Sequence, residues 1–181
     1  MKYIRLFEDF QLGDLNVMSS EEIKGLFFEE CRKSTPDLEL IRVIIENGLV
    51  DVGAKGEWDY TPLHWAVSGD NIELAKLLIA SGADVNVKRW DGFTPLHRAV
   101  SRDNMEVTKL LIGSGADVNA KDSDDDTPLH EAVGRDNIEL AKFLIDSGAW
   151  VNAKNKDGET PLHRAQSEEM KALLKQHGAT L

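Results

Sequence analysis

Four histidines on a strict spacing are the first residues of this chain that could do chemistry. His64, His97, His130 and His163 each close the tetrapeptide Thr-Pro-Leu-His, and successive copies stand 33 residues apart. Imidazoles hold zinc and relay protons. A constant interval of this length instead puts each one on its own copy of a structural unit. Packed helices lie ~8–10 Å apart, whereas Zn–N bonds are ~2.0–2.1 Å, so one ion does not gather them. The expected role is structural, bonding the turn and packing between copies. His177 reads as an exposed polar residue.

Other candidates fall short in the same way. Asp122-Ser123-Asp124-Asp125-Asp126 starts like a calcium loop, but an EF-hand needs Gly sixth and Glu twelfth, where Thr127 and Val133 stand. A solvated acidic turn, a partner-contacting acidic finger and an adventitious cation site remain open. Cys31 replaces a small residue of a helix and reads as a buried, inert thiol. Gly113-Ser114-Gly115 lacks the Lys that follows a phosphate loop. No nucleophile elbow, CxxC or HExxH occurs. Neither a catalytic nor a metal-binding set is expected, and no cofactor.

Composition narrows the class. The 181 residues carry 41% hydrophobic and 29% charged side chains, enough for a core and too polar for a membrane protein. The 32 acids against 21 Lys and Arg leave a charge of −11, which argues against direct nucleic-acid binding. A single cysteine excludes an internal disulfide. No apolar run reaches the ~18 residues of a membrane span, and the start does not read as a secretion signal. The expectation is an intracellular, cytoplasmic monomer, the nucleus not excluded.

The elements that position the histidines follow from the repeat. Asp70-Asn71-Ile72-Glu73 recurs as Asp103-Asn104-Met105-Glu106 and Asp136-Asn137-Ile138-Glu139; Ser81-Gly82-Ala83-Asp84-Val85-Asn86 recurs from Ser114 and, with one change, from Ser147. Thr94 reads as an N-cap with Pro95 at the first helical position. A short helix from Pro95 to about Ser101 would bury Leu96, Ala99 and Val100. Asp103-x-x-Glu106 reads as a capping box for a second helix. Its apolar set, Met105, Val107, Leu110, Leu111 and Ile112, covers most of a face, and Gly115 ends it. Such helices are too short to stand alone, so they must stack on copies of themselves.

These residues together resemble the ankyrin repeat, over roughly residues 20–181. The resemblance implies an all-α solenoid of helix-turn-helix units joined by β-turn or hairpin loops. About five repeats are expected, near 20–57, 58–90, 91–123, 124–156 and 157–181, with divergent terminal caps. In the first, Ser19-x-x-Glu22 reads as a capping box for a helix over about 21–33. There Phe28 stands for Leu63 and Cys31 for Ala66, with Glu29, Glu30, Arg32 and Lys33 outward. Lys171, Lys175 and Gln176 polarise the last helix, as a soluble solenoid end requires. Residues 1–19 lie outside the repeat. Tyr3, Leu6, Phe7 and Phe10 suit a leader that caps the first repeat, or a docking peptide.

Positions that vary between copies are free to carry function. The tips before each Thr-Pro vary, and so does the residue after each His: Trp65, Arg98, Glu131, Arg164. In ankyrin proteins these positions line the concave groove that meets partners. The candidate partner-binding residues are Trp58, Tyr60, Trp65, Trp90, Asp91, Phe93 and Arg98, then Asp124, Asp126 and Glu131. Partner binding through the aromatic end and packing within the stack are both open. The expected function is a non-catalytic scaffold binding another protein, the acidic end steering a basic segment. The alternative is an acidic inhibitor or nucleic-acid mimic on a partner's basic site.

Overall fold

Each Thr-Pro pair starts a helix because threonine and histidine close the same turn. In the computed structural model, which describes Leu15 and residues 17–180, the Thr61, Thr94, Thr127 and Thr160 backbone N–H groups donate to Nδ1 of the following histidine at 3.0–3.3 Å. Proline then sits inside the first turn, where no N–H is required. The Tyr3, Leu6, Phe7 and Phe10 stripe expected of the leader lies outside the described residues.

Ten α-helices and no strand occur among the described residues. They run α1 (Ser20–Arg32), α2 (Leu38–Glu46), α3 (Pro62–Ser68), α4 (Ile72–Ala80) and α5 (Pro95–Ser101). The rest are α6 (Met105–Gly113), α7 (Pro128–Gly134), α8 (Ile138–Asp146), α9 (Pro161–Arg164) and α10 (Glu168–Gln176). The first helices stack in the order α1, α3, α5, α7, α9; the first four each pack on the second helix of their own pair, and α10 packs on α8. Leu63, Leu96 and Leu129 are fully buried, as are Val67, Val100 and Val133 between them. Ala66, Ala99 and Ala132 keep the stacked backbones close. The core is thus a stripe shared by neighbouring pairs.

The second helices start one residue later than the capping-box reading requires. Asn71, Asn104 and Asn137 are the N-caps, each accepting the N–H three residues on at 2.9–3.0 Å. Asp103 precedes the cap at φ +55°. Its carboxylate instead reaches across to Arg135 and to Asn137 Nδ2, and Asp70 does the same with Arg102 and Asn104. The helices end where expected: Gly82, Gly115 and Gly148 take φ between +90° and +96°, and the next alanine N–H closes back on the helix.

The divergent first pair departs once from expectation. The Ser19–Glu22 capping box forms, and Phe28 and Cys31 are buried. Glu30, expected outward, is 1% exposed. It is held by Lys33 Nζ and by the Asp37 backbone N–H at 3.1 Å, which anchors the loop into α2. A buried carboxylate is tolerated only with such partners. Burial pushes the Cys31 thiol up to about 12, with Glu30 adding to it, so it stays protonated.

Candidate functional site

The tips before each Thr-Pro are β-turns tied to one another. Gly92 N–H closes on the Arg89 oxygen at 3.0 Å, and equivalent bonds close the turns at Asp125 and Gly158. Ser123 N–H then donates to the Asp91 oxygen, and Lys156 N–H to the Asp124 oxygen, both at 2.9 Å. Lys55, Lys88 and Lys121 each place Nζ on the backbone oxygen 33 residues further on. The tips therefore form one continuous row.

Trp58 and Trp90 stand out on this row at 70% and 64% exposure. Their ring centroids lie 6.0 Å apart at 56°, a tilted contact between two neighbouring tips. Trp58 holds φ +57° and the following Asp59 φ +56°. That conformation is uncommon for a bulky side chain and costs ~1–2 kcal/mol.

The other aromatic candidates are half-buried and pack inward. Tyr60 lies 4.6 Å from Trp65, and Phe93 lies 5.1 Å from His97. Arg89, which the repeat pattern did not single out, binds them together. Its guanidinium lies over Tyr60 and Phe93 and bonds the Tyr60 hydroxyl and the Asp91 carboxylate. Burial opposes ionisation of Asp91, yet the Arg89 hydrogen bond and the Phe93 N–H hold its carboxyl below the usual range. Arg32 of the divergent first pair lies 4.7 Å above the Trp65 ring. In the alignment of Cys31 with Ala66, the first three Thr-Pro-Leu-His units carry valine where Arg32 stands.

The acidic end is largely engaged internally. Asp126 holds Arg164 at 2.6 Å and Asn155 at 3.0 Å. Asp125 pairs with Lys121, and Asp122 Oδ1 accepts the N–H groups of Asp124 and Asp126. Glu131 lies 3.9 Å from Arg135. Asp124 alone of this group is exposed with no side-chain partner among the described residues.

Behind the tips the histidines use both ring nitrogens. Nε2 of His64, His97 and His130 reaches the backbone oxygen of Phe93, Asp126 and Glu159 at 3.1–3.3 Å. With Nδ1 accepting and Nε2 donating, all three are neutral, and none offers a lone pair to a metal. His163 differs: it is exposed, and its Nε2 has no partner among the described residues.

Among the described residues no helix is long and apolar enough to cross a membrane. The family model for ankyrin repeats (three copies) matches residues 30–122 and 106–181. The Notch-regulated ankyrin repeat-containing protein of Homo sapiens is 32% identical over 81 residues, 44% of this chain and 71% of that protein. The palmitoyltransferase AKR1 of Eremothecium gossypii is 34% identical over 92 residues, 42% of this chain but 12% of the enzyme. A putative ankyrin repeat protein of Rickettsia bellii is 41% identical over 59 residues, 31% of this chain and 8% of that protein. The match thus spans a small fraction of the palmitoyltransferase's length.

Proposed function

Since this chain belongs to the ankyrin-repeat family, whose repeats mediate protein–protein interaction, we propose that it is a non-catalytic scaffold. It binds a partner protein along the tips and the first-helix face. The observation that carries this reading is the Trp58–Trp90 pair, exposed on adjacent tips and displayed at a cost in backbone strain. Trp is a common interface anchor because it buries much area for little lost rotamer freedom. Tyr60, Trp65, Phe93 and Arg98 form the floor behind it. A standard interface buries ~800 Å² per partner, which a row of stacked pairs at ~10 Å spacing supplies. A monomer in an intracellular compartment fits this reading.

The test compares proteins captured from the native host by the wild-type chain and by the Trp58→Ala/Trp90→Ala double variant. Partners captured by the first and lost by the second support the reading, provided helix content is unchanged. Capture unaffected by both substitutions would sink it. The net charge of −11 supports a second reading, an acidic mimic of nucleic acid. Binding that collapses as salt rises favours that one.

A further inference from the structure

Arginine neutralisation in this acidic chain is uneven. Among the described residues Arg42, Arg89, Arg102, Arg135 and Arg164 each pair with a carboxylate. Arg32 and Arg98 do not, although acids exceed bases by eleven. Both of these contact α3. Arg32 lies over the Trp65 ring at 4.7 Å, and Arg98 Nε donates to Ser68 Oγ at 3.0 Å. Ser68 is three residues beyond Trp65, on the same face of α3. Trp65 Nε1 is itself the only buried side-chain nitrogen or oxygen without a partner among the described residues.

Three acids of the neighbouring units are already committed. Asp91 is held by Arg89, Asp70 by Arg102 and Asn104, and Glu131 lies against Arg135. Two guanidinium groups thus contact one face of α3, at Trp65 and at Ser68, with N–H donors to spare and no ion pair to a carboxylate among the described residues. A guanidinium presents five N–H donors in a fixed fork that matches a carboxylate.

Resting on the scaffold reading above, we propose that Arg32 and Arg98, on either side of Trp65, form a carboxylate subsite. It receives an Asp or Glu side chain from the partner segment whose apolar residue seats on Trp58 and Trp90. The sign is opposite to that expected from net charge. A basic segment suits only the far end, where Asp124 is exposed. Against Trp65 and Ser68 the charged groups without an ion pair are Arg32 and Arg98, and charge complementarity there requires an acid.

The test is a random peptide library displayed against the immobilised full chain, its Arg32→Glu/Arg98→Glu variant and its Trp58→Ala/Trp90→Ala variant. The wild-type chain is expected to enrich peptides that pair an aromatic or large aliphatic residue with a nearby Asp or Glu. The charge-reversed variant should bind those peptides at least tenfold more weakly and enrich Lys or Arg at that position. If the reversal lowers helix content, Arg98→Gln, read by fluorescence anisotropy of one enriched peptide, gives the same tenfold loss. Peptides that depend on Trp58 and Trp90 but show no acidic preference overturn this subsite and leave the scaffold reading standing. A phosphoserine peptide that binds where its Glu counterpart does not also overturns it. A wild-type chain that enriches nothing overturns both.

Discussion

The indole rings of Trp58 and Trp90 meet at 6.0 Å across two tips that differ in backbone conformation: Trp58 is left-handed, whereas in its own tip Gly92 takes the positive φ after Trp90 and Asp91. The strained position is one that a partner-facing side chain occupies, as expected where display is favoured over local stability. Trp58→Gly and Trp58→Ala remove the same ring, but only glycine relieves the left-handed backbone. Trp58→Gly should therefore be more stable than Trp58→Ala by ~1 kcal/mol, read from urea midpoints. Equal midpoints would mean the strain is not there.

His97 closes two layers at once, with Thr94 on Nδ1 and the Asp126 oxygen on Nε2. His97→Ala leaves the Thr94 N–H without its acceptor and removes the inter-layer bond to that carbonyl, which keeps only the Asp122 N–H, at a cost of ~1–3 kcal/mol. His163→Ala should cost less, since that ring is exposed and bonds only within its own turn. Thermal unfolding followed by circular dichroism ranks the two. The reverse order would contradict the inter-layer role.

Stability should fall on mild acidification. Burial pushes the His64 pKa down from 6.5 to about 4, against the raising effect of the Phe93 carbonyl, and moves His97 and His130 in the same direction. Between about pH 6.5 and 4 the unfolded chain binds protons at these positions that the folded chain does not. The contribution is complete above the unfolded value and is lost as pH falls, by about 3 kcal/mol for His64. Urea midpoints at about pH 7 and about pH 5 test this while most carboxylates stay ionised. No change between them would rule out neutral, buried histidines.

Gly92 cannot be replaced cheaply. It holds φ +76°, and a Cβ there would stand 2.6 Å from Ser123 N and 2.7 Å from the Asp122 carbonyl carbon. Gly158 takes nearly the same φ, +77°, with open space around it. Gly158→Ala should cost only the left-handed backbone, ~1–2 kcal/mol. Gly92→Ala should cost more, because it also pushes two tips apart. Similar losses for both would show that the tips yield without resistance.

The periodic elements were legible because their causes are local. Thr-Pro sets a helix start within one turn, and glycine at positive φ sets an end within two residues, so the order of paired helices follows from the chain itself. The capping error at Asp103 has the opposite origin. Its carboxylate is drawn to Arg135, 32 residues away, and Asn104 is left to cap. Glu30 was misplaced for a related reason: its partners, Lys33 and the Asp37 N–H, define a loop found only in the divergent first pair.

Residue types and spacing determined the stack, the turn-closing histidines and the position of the aromatic tips. Which charges are satisfied was decided by tertiary structure alone. Arg164 reaches back 38 residues to Asp126, and Arg102 reaches back 32 to Asp70, while Arg32 and Arg98 meet no carboxylate among the described residues. Charge pairing falls off over a few ångströms, so it depends on contacts between layers that composition does not encode.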